Sequence, residues 1–192
     1  MNSSEESGRW EPLSSKLLLD TPFFRLRSDA LKLPDGAVKD SYYILERDDA
    51  AFVLAVDKDG NVPLVRQYRP PLGIMELCLP AGLVDPDEDP EAAAKRELLE
   101  ETGYAGGKWE RVAKLSSSPG LKSNWAHIFL ARGVEKISSG DPDEFERLEV
   151  FTVSVAELDR LVREGEIVSS SAVAGVLLAA GKLADQDFGG EA

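Results

Sequence analysis

The sequence predicts an α+β or α/β sandwich with mixed strands, and three observations point to it. Short alternating runs broken by Pro, Gly and Asp fill the first 80 residues. One well-capped helical pattern follows at roughly Pro90–Thr102, and a second helical stretch runs from about Val155 to Leu183. Helices do not alternate regularly with strands, which argues against the βαβ repeat of a Rossmann domain.

The elements justify this in order. Residues 1–8 and the tail from about Asp185 are polar, glycine-containing ends expected to fray. From Trp10 to about Arg47 the chain reads as short strands. "PFFRLRSDALKLPDG" alternates apolar and polar residues into a Pro-Asp-Gly turn, and "AVKDSYYILER" is its expected hairpin partner. "AAFVLAVDKDGNVPLVRQYRP" reads as a second hairpin turning at Asp59-Gly60-Asn61. "IMELCLPAG" reads as one strand closed by Pro80 and Gly82. In the helix that follows, Asp89 fits the cap, Pro90 the first helical position and Gly103 the left-handed position after the end. "GKWERVAKLSSSPG", "WAHIFLARGV" and "LEVFTVS" read as strands, and the final helical stretch breaks near "GEIVSSS".

Composition narrows the function classes. A net charge of −13 argues against a general nucleic-acid binder, which needs clustered Lys and Arg. Cys78 is the one cysteine, so no intramolecular disulfide can form. No apolar run approaches the roughly 18 residues of a membrane span, and the polar start has no leader-like hydrophobic stretch. The expectation is a cytoplasmic globular protein that contacts neither membrane nor nucleic acid.

The central helix carries the chemistry. Glu97, Glu100 and Glu101 stand at i, i+3 and i+4 and share one face, while Ala92, Leu98 and Leu99 are expected to pack on a sheet. Like charges at that spacing repel, and the last turn is where the helix dipole disfavours anions. Two local rules broken together suggest a site, and carboxylate oxygens suit Mg²⁺ shared with substrate phosphates.

Gly82, five residues, Glu88, seven residues, then Arg96-Glu97-Leu98-x-Glu100-Glu101-x-Gly103-Tyr104 resembles the Nudix box in every position. The resemblance implies a Nudix α/β/α sandwich with a mixed sheet. It implies metal ligands at Glu97, Glu100 and Glu101, with the carbonyl of Ala81. Glu88 and Arg96 are then structural, tying loop to helix, and Gly82 and Gly103 supply tight turns. The metal expected is Mg²⁺, with Mn²⁺ able to substitute.

The flanks resemble the ADP-ribose pyrophosphatase subgroup. "VRQYRPPLGIMELCLPAG" precedes the box, Pro119 lies 16 residues beyond Gly103, and "DPDEFERLEVF" resembles that subgroup's acidic loop. In that loop Glu144, with Glu146 second, is expected to act on the attacking water; the alternative is a solvated acidic turn. Arg66 and Arg69 are expected on the diphosphate, and Trp10 and Tyr42 (with Tyr43) beside the base; packing and surface roles stay open for all of them. Where the subgroup commonly has Glu two positions before Pro-Ala-Gly this chain has Cys78, and Glu76 on the same side of the strand is the substitute.

The implied organisation is an N-terminal β extension over 1–48, a Nudix domain over 49–184 and a flexible tail over 185–192, with two chains in a homodimer. The implied reaction is hydrolysis of ADP-ribose to AMP and ribose 5-phosphate, with Glu101 among the catalytic carboxylates. The rivals are another nucleotide sugar, such as ADP-glucose or GDP-mannose, and a nucleotide-sensing module that does not cleave.

Overall fold

The computed structural model describes residues 8–141 and 147–187, with side chains as far as Leu183. The chain divides into two compact units, one of the residues up to Asp48 with Ser118–Asn124, the other of Asp49–Ser117 with Trp125 onward.

The first unit is one antiparallel sheet in the order β1 (Glu11–Asp20), β2 (Arg25–Lys32), β3 (Val38–Glu46). The β2–β3 hairpin forms as expected. Lys32 pairs with Val38, Leu33 N donates to Ala37 O (2.8 Å), and Gly36 takes the left-handed φ of 87° that closes the turn. The Ser118–Asn124 segment joins through Leu45, whose N–H donates to Leu121 O (2.8 Å) and whose carbonyl accepts from Ser123 N (3.2 Å). Strand β1 is exposed along its whole length, Leu13 and Leu17 to Leu19 included.

The second unit holds two sheets. One runs β7 (Ala81–Leu83), β4 (Ala50–Asp57), β9 (Ala126–Lys136), β8 (Tyr104–Leu115); β4 and β9 are parallel and the other pairs antiparallel. The other runs β10 (Glu149–Ser154), β5 (Asn61–Arg69), β6 (Ile74–Cys78), all antiparallel. Helix α1 (Pro90–Thr102) packs on β4, β7 and β8, α3 (Ser170–Asp187) on β4, β8 and β9, and α2 (Val155–Arg163) on α3 and β10. Strand β4 is apolar on both faces because both are covered. Ala51, Val53 and Ala55 join the clusters containing Ala93, Ala94 and Leu98 of α1, while Leu54 and Val56 join Ala172, Val176 and Ala179 of α3. Alanines on the α1 side let that helix lie close to the sheet.

Two expectations change here. The turn Asp57–Asn61 is tight, with Asp57 accepting from Asp59 N and Asn61 N (both 2.8 Å), yet β4 and β5 do not pair as a hairpin. They enter different sheets, because both are buried apolar runs that find better partners laterally: β9 and β7 for one, β6 and β10 for the other. "IMELCLPAG" is likewise two strands, β6 and β7, separated at Leu79-Pro80, where Val53 N donates to Pro80 O (3.0 Å). No helix among the described residues is long and apolar enough to cross a membrane.

Candidate active site

Local chemistry sets α1 in place. Asp89 accepts from Glu91 N (2.9 Å) and Ala92 N (3.3 Å), Pro90 opens the helix, and Gly103 ends it at φ 78° with its N–H on Leu99 O (2.8 Å). The packed face is Ala93, Ala94, Leu98, Glu101 and Thr102, not Ala92 and Leu99, which are exposed. Complete burial of Leu98 alone contributes roughly 2 kcal/mol.

That phase matters for the carboxylates. Ala94, Leu98 and Glu101 follow at i, i+4 and i+7, so Glu101 is on the sheet side and only 2% exposed, not part of a surface cluster. A buried carboxylate needs donors. Glu101 Oε2 accepts from Ala81 N on β7 (2.9 Å). Glu97 is mostly buried: a Cβ on Gly82 would fall 1.9 Å from its Oε1, so only glycine leaves it room beside the β7 main chain. Glu100 is the open member of the three, with a 43% exposed side chain.

Arg96 joins these groups. A guanidinium has five N–H donors, and here all five are used. Nε and Nη2 grip Glu88 at two points (3.1 and 3.0 Å), and Nη2 also reaches Leu83 O (3.0 Å). Nη1 donates to Glu97 Oε1 (2.7 Å) and Glu100 Oε2 (3.1 Å). Glu88 accepts from Asp85 N as well (3.0 Å), so the loop before α1 is braced to its middle. The Arg96 bonds, opposed by some burial and aided by Asp85 N, hold the Glu88 carboxyl below the usual glutamate range. The same bonds, Glu88 first, push Arg96 upward and keep it charged.

The neighbouring strands bring further expected residues. Arg69 Nε donates to the buried Glu76 (2.5 Å). Arg66 lies 4.4 Å from the Phe151 ring centre and 3.9 Å from Glu149, a loose pair that leaves it 40% exposed. Burial first, then the Glu76 and Glu101 charges, pushes the Cys78 thiol up to about 12, so it is no nucleophile at neutral pH. Ala81 contacts Glu101 through its N–H.

Trp10 and Tyr42 belong to the first unit. They meet edge-on with centroids 6.0 Å apart, and Tyr42 Oη donates to Gly120 O (2.9 Å). Glu144 and Glu146 lie outside the described residues. Two features went unread in the sequence. His127 Nε2 is 2.8 Å from Asp49 Oδ2, a link between residues 78 apart that no spacing announces. The Ser138–Asp141 backbone docks on the end of α1, where the one local signal is a glycine.

The donor set suits a hard divalent cation, since it consists of carboxylate oxygens on one helical turn with a carbonyl-bearing strand beside it. Among the described residues no three His, Cys, Asp or Glu side chains converge into a finished cage. In this arrangement Arg96 supplies the counter-charge, and the glycine-made room at Gly82 keeps the Glu97 carboxylate next to β7.

Residues 46–170 match the NUDIX domain, and residues 10–45 match the nucleoside diphosphate sugar hydrolase N-terminal domain. The chain belongs to the Nudix family. It is a Nudix hydrolase similar to the ADP-ribose pyrophosphatase of Mycobacterium tuberculosis (strain ATCC 25618 / H37Rv), at 36% identity over 88% of this chain and 82% of that one. It is also similar to the GDP-mannose pyrophosphatase of Cronobacter sakazakii (strain ATCC BAA-894), at 30% identity over 85% and 91%. Among solved structures, a crystal structure of an ADP compounds hydrolase superposes with a TM-score of 0.82 at 25% identity, covering 93% of this chain and 96% of that one. The mixed sheet between helices is therefore the Nudix fold.

Proposed function

We propose that this Nudix hydrolase cleaves the diphosphate of a nucleoside diphosphate sugar, ADP-ribose above others, to AMP and ribose 5-phosphate. The carrying observation is the last turn of α1, where three carboxylates are held by Arg96, Gly82 and Ala81 N. The relatives' names supply the substrate class.

Glu97, Glu100, Glu101 and the Ala81 carbonyl would hold the divalent cation on which the family generally depends; we take it as Mg²⁺, replaceable by Mn²⁺. Bound there, it would neutralise phosphoryl oxygens and lower the pKa of a water. The chain's own residues do the rest. Glu88 and Arg96 fix the carboxylates, so little reorganisation is needed when substrate arrives. Arg66 and Arg69, each with a 40% exposed side chain, are taken to meet the diphosphate, Arg66 from a loose pair with Glu149 and Arg69 from a tight one with Glu76. Glu144, with Glu146 second, takes the proton of the water whose oxygen bonds one phosphorus. The bridging P–O bond breaks, and each half leaves as a phosphomonoester.

Trp10 and Tyr42 are proposed to flank the base, within an extension over 1–48 that joins two Nudix domains (49–184, tail 185–192) in a homodimer. The exposed leucines of β1 support that reading. The lone cysteine supports a cytoplasmic setting. A second reading, GDP-mannose or ADP-glucose, is favoured by the GDP-mannose pyrophosphatase similarity and by Cys78 at the subgroup's usual glutamate. A panel of nucleotide sugars with Mg²⁺, its products resolved by chromatography, decides between them. Fastest release of AMP from ADP-ribose is expected, and no cleavage of any member overturns the proposal.

A further inference from the structure

We propose that Asp49 and His127 are positioning residues for the hydrolysis, because their buried pair fastens the end of β7, the strand whose three residues hold the carboxylates of α1. The inference rests on the hydrolase reading above and adds two residues to it.

Strand β7 lies at the edge of its sheet and, among the described strands, pairs with β4 alone, through Ala50, Ala51 and Phe52. Three residues so placed hold little structure by themselves. Yet each of them serves the site. Ala81 N donates to Glu101 Oε2 (2.9 Å), Gly82 leaves the room that Glu97 occupies, and Leu83 O accepts from Arg96 Nη2 (3.0 Å). Their placement depends on how the two ends of the strand are fixed. Before it, Pro80 O accepts from Val53 N (3.0 Å); after it, Val84 N donates to Asp49 O (2.9 Å).

Asp49 is in turn held by the start of β9. Its Oδ1 accepts from Trp125 N (2.8 Å), and its Oδ2 lies 2.8 Å from His127 Nε2. A carboxylate has no proton to give, so the imidazole donates from Nε2. The other ring nitrogen, Nδ1, is buried and has no hydrogen-bond partner among the described residues. His127 is 4% exposed, in a strand where Ala126 and Ile128 to Ala131 are all buried and apolar. By register it stands between Ala51 of β4 and Lys114 of β8. Burying an imidazole there costs free energy that a valine or isoleucine would not. What the imidazole supplies is one hydrogen bond, and that bond anchors Asp49 on its second carboxylate oxygen while its carbonyl takes Val84 N. Stability alone would be served by an apolar residue at 127; a fixed end for β7 is served by a donor there. Neither residue touches the reacting atoms, and both act through the placement of Ala81, Gly82 and Leu83.

The test separates placement from stability. Full-length wild type, His127→Leu, His127→Gln, Asp49→Ala and Val176→Ala are assayed for kcat and KM in Mg²⁺-dependent ADP-ribose hydrolysis. Mn²⁺ affinity without substrate, from electron paramagnetic resonance, and the thermal midpoint are recorded for each. Leucine removes the donor, whereas a glutamine amide can donate from nearly the place of Nε2. His127→Leu is expected to lower kcat and to weaken Mn²⁺ binding about tenfold each, the lower end of what losing a supporting partner of a metal site costs, with KM within about twofold. His127→Gln is expected to return both quantities to within about threefold of wild type. Asp49→Ala is expected to be at least as impaired as His127→Leu, and the double variant no worse than Asp49→Ala, since both changes remove one bond. Val176→Ala deletes buried methyls on the α3 side of β4, and should lower the midpoint with kcat and Mn²⁺ affinity near wild type. Wild-type kcat and Mn²⁺ affinity in His127→Leu, whatever its midpoint, overturn the proposal. So does a His127→Gln protein as impaired as His127→Leu. Should His127→Leu fail to fold, wild-type kcat and Mn²⁺ affinity in Asp49→Ala overturn it instead. A wild type that cleaves no nucleotide sugar removes the hydrolase reading and this proposal with it. An active wild type with silent Asp49 and His127 variants removes this proposal alone.

Discussion

Helices α1 and α2 sit in the same unit and follow opposite charge rules. Helix α2 opens on Ser154, which accepts from Glu157 N (3.3 Å), and places Arg160 and Arg163 in its last turn. Its ion pairs, Arg160 with Glu157 (3.1 Å) and Arg163 with Asp159 (2.5 Å), match its dipole, and Leu158 and Leu161 are buried. Helix α1 opens as correctly, on Asp89 and Pro90, but its last turn has no basic residue and crowds carboxylates instead. Its one central arginine is drawn toward Glu88, Glu97 and Glu100 together. The difference separates two uses of a helix. In α2 each local choice lowers the free energy of the fold, whereas the unfavourable end of α1 fits the proposed binding of a ligand that brings positive charge.

The largest effect should come from breaking that end. Glu101→Gln keeps an oxygen to accept from Ala81 N, so the buried side chain retains its hydrogen bond and the fold should persist. It loses the charge, and turnover should fall at least about a hundredfold, the scale of losing a well-placed electrostatic group. Glu157→Gln, the matching change in α2, should leave turnover alone. Near-normal Mg²⁺-dependent hydrolysis by Glu101→Gln would remove that residue from the metal set. Next in size is Arg96→Leu. It strips Glu88, Glu97 and the Leu83 carbonyl of a charged donor at once, and should cost about 2 kcal/mol in urea unfolding. An unchanged midpoint would mean that the brace is decorative.

Legibility followed the range of the interaction. The bounds of α1 were readable because Asp89, Pro90 and Gly103 act on backbone within a turn of themselves. Glu97, Glu100 and Glu101 were readable together because their spacing is a helical period, and the rest of the box through its resemblance to the Nudix pattern. The partner of β4 was not, since Asp57–Asn61 specifies a reversal and says nothing of which strand lies alongside. Burial of Glu101 was within reach: Ala94, Leu98 and Glu101 form a stripe, but grouping the acids by charge hid it. The Arg66–Glu149 and Asp49–His127 pairs, and the docking of Ser138–Asp141 on the end of α1, join residues that only the fold brings together.

The acid limb of stability should also distinguish the two helices. Glu88 binds its proton less readily folded than unfolded, so its contribution is complete above the ordinary glutamate value of 4.5 and is lost as pH falls through the lower folded value. Glu88→Gln should therefore flatten the loss of thermal midpoint between wild type's plateau and its acid limb below about pH 4.5. Parallel acid limbs in the two proteins would show that the Glu88 carboxyl is not the group responsible.

The smallest effect belongs to α2, and it sharpens the comparison most cheaply. Asp159 is likewise held below its usual range by the Arg163 hydrogen bond, but both side chains are more than half exposed. Water and salt screen such a pair, and holding two long side chains in one geometry costs entropy. Arg163→Ala should leave the urea midpoint close to that of wild type, and molar salt should erase most of any difference. The brace at Arg96 should behave otherwise under the same salt, because Glu97 and Glu88 are largely shielded from solvent and their bonds to Arg96 are geometric as well as coulombic. Urea titrations of wild type, Arg163→Ala and Arg96→Leu at low and high salt would put both helices on one scale. If salt removed the Arg96→Leu difference as fully as that of Arg163→Ala, the brace would be an ordinary surface ion pair, and the contrast between the two helices would reduce to sequence alone.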